Sequence, residues 1–307
     1  MKENINDLFG KLASLIAEDD IYEIAIESYH EVYAHRKSGW TKENIFTKKS
    51  ELLEFVGDLR SHFEIDESEP MFSRYVTEII SVSVVLPPLA IKGPSLRISK
   101  LPKESSTLDD YLAWNAIDSK GKKVLEEILT SHEGIICGGD FGSGKTTLFN
   151  MLLNSLPKDA SIVSIEPSPD ITFQRERVCR LMPRGTSEEA IGEVLEAASR
   201  MRGDYITLSW MSEQWVSPYM DLLKNNSCGM CVAGGVSPQN VIDRILRQAV
   251  VSSYGYNLEE AALNLTEVFK YLVFQEKDKE DQRRYISSVH ELSFRSGEIV
   301  FKCIYNA

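Results

Sequence analysis

Residues 139–147 read Gly-Asp-Phe-Gly-Ser-Gly-Lys-Thr-Thr, a complete G-x-x-x-x-G-K-[ST] phosphate-binding pattern. Gly139, Gly142 and Gly144 let the backbone turn so that successive N–H groups face a polyphosphate. Ser143 lies within the same loop, Lys145 carries the cation that reaches the β and γ phosphates, and Thr146, with Thr147 after it, offers a hydroxyl to Mg2+. The flanks agree with this chemistry. Gly134-Ile-Ile-Cys137 is a short apolar run suited to a buried strand, and residues 146–154 have the apolar spacing of a helix that starts at the loop. Strand, loop and helix N-terminus in that order aim amides and a partial positive charge at an anion, so the ligand expected is a nucleoside triphosphate. Asp140 is the discordant residue, a carboxylate inside a loop that must hold phosphates, and it is expected to point to solvent.

The elements that position this loop belong to a chain of 307 residues, 43% hydrophobic and 26% charged, long enough for two domains with ordinary cores. A net charge of −12 argues against a nucleic-acid or acidic-lipid surface as the main partner, and no direct nucleic-acid binding is expected. The five cysteines are dispersed, and neither a signal peptide nor an apolar run near 18 residues is present, which predicts a reduced, cytoplasmic location. Cys228-Gly-Met-Cys231 stands alone, and the simplest reading is two small residues flanking a turn.

Before the loop, residues 4–18 read as an amphipathic helix. Ile21–Ile26 and Glu31–His35 read as a hairpin bent around Ser28 and Tyr29, and 49–62 as a helix. The acidic stretch Glu64–Pro70 reads as a solvated loop, and strands are expected over 76–86 and 95–99. Pro102 with Ser105-Ser106 marks a linker, and Thr107-Leu-Asp-Asp110 is a helix cap. The expected organisation is an α+β domain over 1–103 and an α/β nucleotide-binding domain over 104–307. After the loop, strands at 161–165 and 205–208 and a helix at 187–201 alternate, which argues for a mostly parallel sheet. Residues 284–292 and 298–304, around Ser296-Gly297, form a closing antiparallel pair.

Assembled in this order, the chain resembles the secretion ATPases of the type II/type IV secretion superfamily, in particular the VirB11-like and tight-adherence-pilus (CpaF-type) branch. The hairpin Ile21–Ile26/Glu31–Tyr33, the segment Val84-Val-Leu-Pro-Pro-Leu-Ala90 and the Walker A box Gly142–Thr147 carry the resemblance. So do Ser164-Ile-Glu-Pro-Ser-Pro-Asp170 at the acidic "Asp box" and Arg200-Met-Arg-Gly-Asp204 before Walker B. It implies a RecA-like C-terminal domain behind a smaller α+β domain, with ATP and Mg2+ as ligands. Glu166 and Asp170 are implied as the carboxylates acting on metal or water, and Arg97 and Lys100 as first-domain residues reaching over the nucleotide. Arg200 and Arg202 face either a nucleotide, a neighbouring subunit or solvent.

The chain also departs from that pattern. The Walker B glutamate falls on Trp210, preceded by Ser209, and the histidine of the histidine box falls on Gly234. An indole can neither hold a metal shell nor polarise water. Trp210 is expected to fill core, and the two changes read as independent losses. Two functions follow from the resemblance. One is a ring motor, a homo-hexamer or a mixed ring with a paralogue, energising pilus assembly, protein secretion or conjugative transfer by ATP hydrolysis. The other is a catalytically impaired nucleotide-binding paralogue with a structural or regulatory role. Either would dock on membrane-embedded secretion or pilus platform proteins, from the cytoplasm or peripherally at the inner membrane.

Overall fold

The computed structural model describes residues 8–36, 38–101, 105–224, 227–252 and 254–307. Two compact units are present, Met1–Lys103 and Glu104–Ala307. Residues 4–7 of the expected first helix and Pro102 of the expected linker lie outside the described residues.

The first unit is built on an antiparallel sheet of β1 (Ile21–Ser28), β2 (Glu31–Arg36), β3 (Gly39–Glu43), β4 (Met71–Tyr75), β5 (Ile80–Val85) and β6 (Ser95–Lys100), in the order β3-β2-β1-β6-β5-β4. Two strands are additional to the sequence reading. β3 extends the opening hairpin, and β4 pairs with β5 where one long strand over 76–86 was expected. Within the described part of the expected first helix, helical residues 8 and 9 lead into a 3-10 turn over Gly10–Leu12 and then α1 (Ala13–Ile16). Helix α2 (Lys49–His62) covers one sheet face, burying Leu52, Phe55 and Leu59 with Ile24, Val82, Leu96 and Ile98. The period of two that turns Leu96 and Ile98 inward turns Arg97 to the other face.

The second unit holds eight strands in the order β14-β13-β12-β7-β11-β10-β8-β9: β7 (Ile135–Gly139), β8 (Ile162–Ile165), β9 (Val178–Leu181), β10 (Tyr205–Leu208), β11 (Cys228–Gly234), β12 (Tyr271–Lys277), β13 (Arg284–Arg295) and β14 (Glu298–Asn306). From β12 to β9 every pair is parallel, and β12-β13-β14 is antiparallel. This is the mostly parallel sheet with an antiparallel edge that the alternation of elements implies. Its helices are α3 (Leu108–Ala113), α4 (Ser119–Thr130), α5 (Lys145–Ser155), α6 (Glu188–Met201), α7 (Glu213–Leu223), α8 (Pro238–Val251) and α9 (Leu258–Val268). Thr107 and Asp110 make the reciprocal capping box at α3.

Two cores lie on opposite faces of this sheet. One packs α5 against Ile135, Cys137 and Ile162, and the other packs α6, α7 and α8 against Ile136, Val163 and Ile206. The Cys228–Cys231 pair corrects the turn reading, because both residues lie in β11. An odd spacing in a strand turns the two thiols to opposite faces. Accordingly Cys228 packs beside one core and Cys231 within the other. Burial pushes the Cys228 thiol up to about 11 and the Cys231 thiol up as well, so neither rests as a thiolate.

Tyr219 ties α7 to the sheet. Its ring is fully buried, its hydroxyl donates to the Ile206 carbonyl at 2.6 Å, and it lies 3.2 Å from the Met230 carbonyl. Tyr219→Phe leaves those carbonyls without the donor. It is expected to cost about 1–2 kcal/mol in urea denaturation, with the denaturant slope unchanged.

Candidate functional site

The parallel strands end together. The register pairs Gly139 of β7 with Gly234 of β11, and Leu208 of β10 with both Cys231 of β11 and Ile165 of β8. Ligands of open α/β sheets bind outside such carboxyl ends. The 139–147 loop sits there, leaving β7 and entering α5 at Lys145.

Gly142 and Gly144 adopt φ of +75° and +88°, values open to glycine and resisted by other residues. At Gly139 a Cβ would stand 2.4 Å from the Gln275 carbonyl oxygen and 2.5 Å from Ser143 Oγ. The loop is therefore glycine-rich for close approach as well as for dihedral reasons. Lys145 Nζ donates to the Asp140 carbonyl at 2.6 Å and lies 6.0 Å from the centre of the Trp210 ring. Burial first, and then the Arg244 cation, push the Lys145 amine down from its ordinary value, against the pull of Asp140. Asp140 itself is exposed, as expected, and its Oδ1 accepts from the Phe141 N–H at 2.7 Å. Thr146 is half-buried on the first turn of α5 and Thr147 is exposed beside it.

Residues outside the motif hold the loop. Gln275, 1% exposed in β12, donates through Nε2 to the Ser143 carbonyl at 2.6 Å and accepts from the Tyr111 hydroxyl at 3.2 Å. Arg284 of β13 donates through Nε to the Gly142 carbonyl at 3.2 Å. The sequence reading missed all three. The available signal was a glutamine directly after the apolar run Tyr271–Phe274, where a buried amide has to have partners.

The two candidate carboxylates separate. Glu166, 1% exposed just beyond β8, is gripped by Arg180 of β9 in a two-point fork of 2.8 and 2.6 Å. Two strands, β10 and β11, stand between β8 and β7, about 14 Å at ordinary strand spacing. Asp170 is brought towards the loop helix by its backbone. Asn150 of α5 donates to the Asp170 carbonyl at 3.3 Å and accepts from the Thr172 N–H at 3.1 Å. Asp170 Oδ1 is enclosed and, among the described residues, has no hydrogen-bond partner. Burial first, and then the Glu166 charge, push its carboxyl up to about 7.

Among the described residues, further buried oxygens without partners are Ser143 Oγ, Ser164 Oγ, Thr207 Oγ1 and Ser209 Oγ. Ser164 and Thr207 are register partners, so this row shares a sheet face with Ile162 and Tyr205, the face that α5 covers. The loop fits a polyphosphate through its glycine path, its amides and Lys145. The Thr146 hydroxyl and the Asp170 and Ser209 oxygens are of the hard type that Mg2+ accepts. Among the described residues no cluster of three His, Cys, Asp or Glu forms a protein-only metal cage. Magnesium at such a loop needs none, since phosphate oxygens and water complete its shell.

Arg97 and Lys100 are engaged inside the first unit. Arg97 pairs with Glu23 at 3.2 Å and Glu27 at 2.6 Å, and Lys100 Nζ donates to the Ile16 and Glu18 carbonyls. Arg200 pairs on the surface of α6 with Glu196. Trp210 corrects the core-filling expectation, because it is 41% exposed at the mouth of the site. With Gly234, Arg244 and neighbouring residues it lines a cavity of about 70 Å³. Positions 210 and 234 are also neighbours in space. A Cβ on Gly234 would stand 3.2 Å from the far edge of the Trp210 indole and 3.5 Å from Arg244. The large residue at 210 and the missing side chain at 234 share one space.

A family model described as "Type II/IV secretion system protein" matches residues 13–262. The chain belongs to this family. Among its relatives, a Mycobacterium tuberculosis protein whose name links it, provisionally, to conjugal transfer is 24% identical, over 97% of this chain and 88% of the relative. The VirB11 protein of Agrobacterium tumefaciens is 22% identical over 78% and 80%. The fold matches that of the pilus retraction motor PilT with bound ADP, at a TM-score of 0.65, 15% identity and coverage of 95% and 82%. It matches the Legionella pneumophila ATPase DotB equally, at 0.65, 13% identity and coverage of 95% and 81%. The two-domain α/β architecture expected of a secretion ATPase is the one this family member has.

Two outcomes follow from the site. Gly234→His should destabilise the protein by about 1–3 kcal/mol while Trp210 is present and by much less in Trp210→Ala. A four-protein denaturation cycle should give a coupling of about 0.5–3 kcal/mol. For Asp170, the native carboxyl keeps its proton up to a pH near 7, whereas the unfolded one loses it near 4. The native state thus binds more protons, and stability falls as pH rises between those values. Asp170→Asn should therefore gain stability relative to the native sequence, on the order of 1–3 kcal/mol, between pH 5 and 8.

Proposed function

We propose that this family member binds Mg-ATP in the 139–147 loop and hydrolyses it to energise secretion, pilus assembly or conjugative transfer, as one subunit of a hexameric ring. The observation that carries the reading is the loop itself, with Gly142 and Gly144 in the positive-φ conformation, Lys145 at the first position of α5 and outside residues bonded to its carbonyls. ADP in the PilT structure supports a nucleotide for this fold, and the VirB11 and DotB relatives support the secretion role. Among the described residues no helix is long and apolar enough to cross a membrane. That suits a subunit acting at the cytoplasmic face of membrane-embedded platform proteins.

In this reading the loop amides and Lys145 bind and orient the phosphates, and Thr146 holds the magnesium ion, which supplies charge neutralisation when bound. Lys145 gives up the Asp140 carbonyl to do so. Ser209 and Asp170 offer the remaining oxygen ligands on that side, directly or through water, and Glu166 braces β8 against β9 through Arg180. Trp210 stands in place of a carboxylate, so the expected turnover is slow.

Lys145→Ala tests this. The native protein should bind Mg-ATP in calorimetry and release phosphate at a rate that falls at least about tenfold in the variant, since a charged contact to phosphate is lost. Absence of both binding and release in the native protein would sink the proposal.

A further inference from the structure

The loop is flanked by cations on two sides of β7. On the β11 side stand Lys145, Trp210 and Arg244. On the β12 side stands Arg284, which enters from β13 at the register position opposite Lys277. Its stem runs along the loop backbone. A Cβ on Gly144 would lie 2.9 Å from Arg284 Cδ, and Arg284 Nε donates to the Gly142 carbonyl at 3.2 Å. One donor of the guanidinium is thereby spent on fixing the side chain. Among the described residues the two terminal amino groups have no hydrogen bond, and no carboxylate pairs with the charge. The neighbouring Arg283 differs in both respects, being spent on the Asn115 carbonyl and on Asp281. An arginine held by its Nε over a phosphate loop, with its outer donors unspent in a chain of net charge −12, has the geometry of a preset anion ligand.

We infer that Arg284 is a second phosphate-binding cation of the site, contacting the phosphates common to nucleoside di- and triphosphates from the side opposite Lys145. This rests on the nucleotide-binding reading above. Because Arg284 approaches from the β12 flank, its contribution is the same for ADP and for Mg-ATP, whereas the Lys145 contribution is expected to favour the triphosphate. The guanidinium also explains the buried Tyr111-Gln275-Ser143 chain beside it. Gln275 fixes the loop carbonyl next to the one that Arg284 takes, so the arginine meets the loop in one register.

The test is calorimetric titration of the full chain with ADP and, separately, with Mg-ATP. It compares the native protein, Arg284→Gln, Arg284→Lys and the control Arg295→Gln, which makes the same charge change at the far end of the same strand. Arg284→Gln is expected to weaken both nucleotides about tenfold, Arg284→Lys to recover most of that at low salt, and Arg295→Gln to bind as the native protein does. Unchanged affinity in Arg284→Gln overturns the inference. So does an equal loss in Arg284→Lys, which would assign the residue to bracing Gly142 alone. An equal loss in Arg295→Gln also overturns it, since the effect would then be one of net charge. Failure of the native protein to bind either nucleotide would instead remove the reading on which the inference rests.

Discussion

The arrangement depends on keeping the backbone from Gly139 to Gly144 in a path that a chain adopts reluctantly. Three of its residues, Gly139, Gly142 and Gly144, sit at positive φ, and of its N–H groups those of Phe141 and Ser143 are turned onto Asp140, while an inward-turned loop offers such groups to an anion. The path is held from outside through its carbonyls. Ser143 is held by Gln275, Gly142 by Arg284 and Asp140 by Lys145. Gln275 is in turn fixed by Tyr111 from α3, the helix set by the Thr107–Asp110 capping box. A cap at the start of the unit and a hairpin near its end thus converge on the same six residues of loop. The antiparallel strands after β12 consequently do more than close the sheet.

The same economy explains the two departures at the crest of the sheet. Trp210 brings an indole to within 6.0 Å of the Lys145 ammonium, a distance at which the ring face attracts a cation. A side chain at 234 would press on its far edge, with a Cβ only 3.2 Å away. A histidine restored at 234 would meet the indole, and a carboxylate restored at 210 would face Lys145 and Arg244 without the bulk that now fills the cavity. The pair is one packing solution, and neither position can be interpreted alone.

The sequence was informative wherever a local rule sufficed. The loop, the cap at Thr107, helix α2, strand β10 and the β13-β14 pair each follow from spacing or turn chemistry within a dozen residues, and the structure has them. What stayed hidden depends on partners far away in the chain. Gln275 opens the polar end of a strand that begins apolar, and only Ser143, 132 positions earlier, gives it a role. Arg180 is one cation among many until its fork closes on Glu166. The Cys228–Cys231 spacing suggested a turn because small residues often make one. The strand won because Met230 and Val232 bury into one core while Cys231 and Ala233 bury into the other. β3, β4 and β9 are short and poor in apolar alternation, so they exist through pairing with neighbours more than through their own residues.

Pairing also ranks the two acids that spacing left equal. A carboxylate that is to hold a metal shell or accept a proton needs an oxygen lone pair to spend. Glu166 has both oxygens in the Arg180 fork. Releasing it would leave a charge uncompensated at a site 1% exposed, which costs several kcal/mol. Asp170 bears the opposite imbalance. Its enclosed Oδ1 has no partner among the described residues, its proton is retained to about 7, and its backbone is bonded to the helix that begins at Lys145. An unpartnered buried oxygen is a cost that a fold carries only when something else makes use of it. The Glu166–Arg180 pair accounts for its own burial by joining β8 to β9, whereas among the described residues no contact accounts for Asp170 Oδ1. Of the two acids, Asp170 is the one with an oxygen left unspent among the described residues.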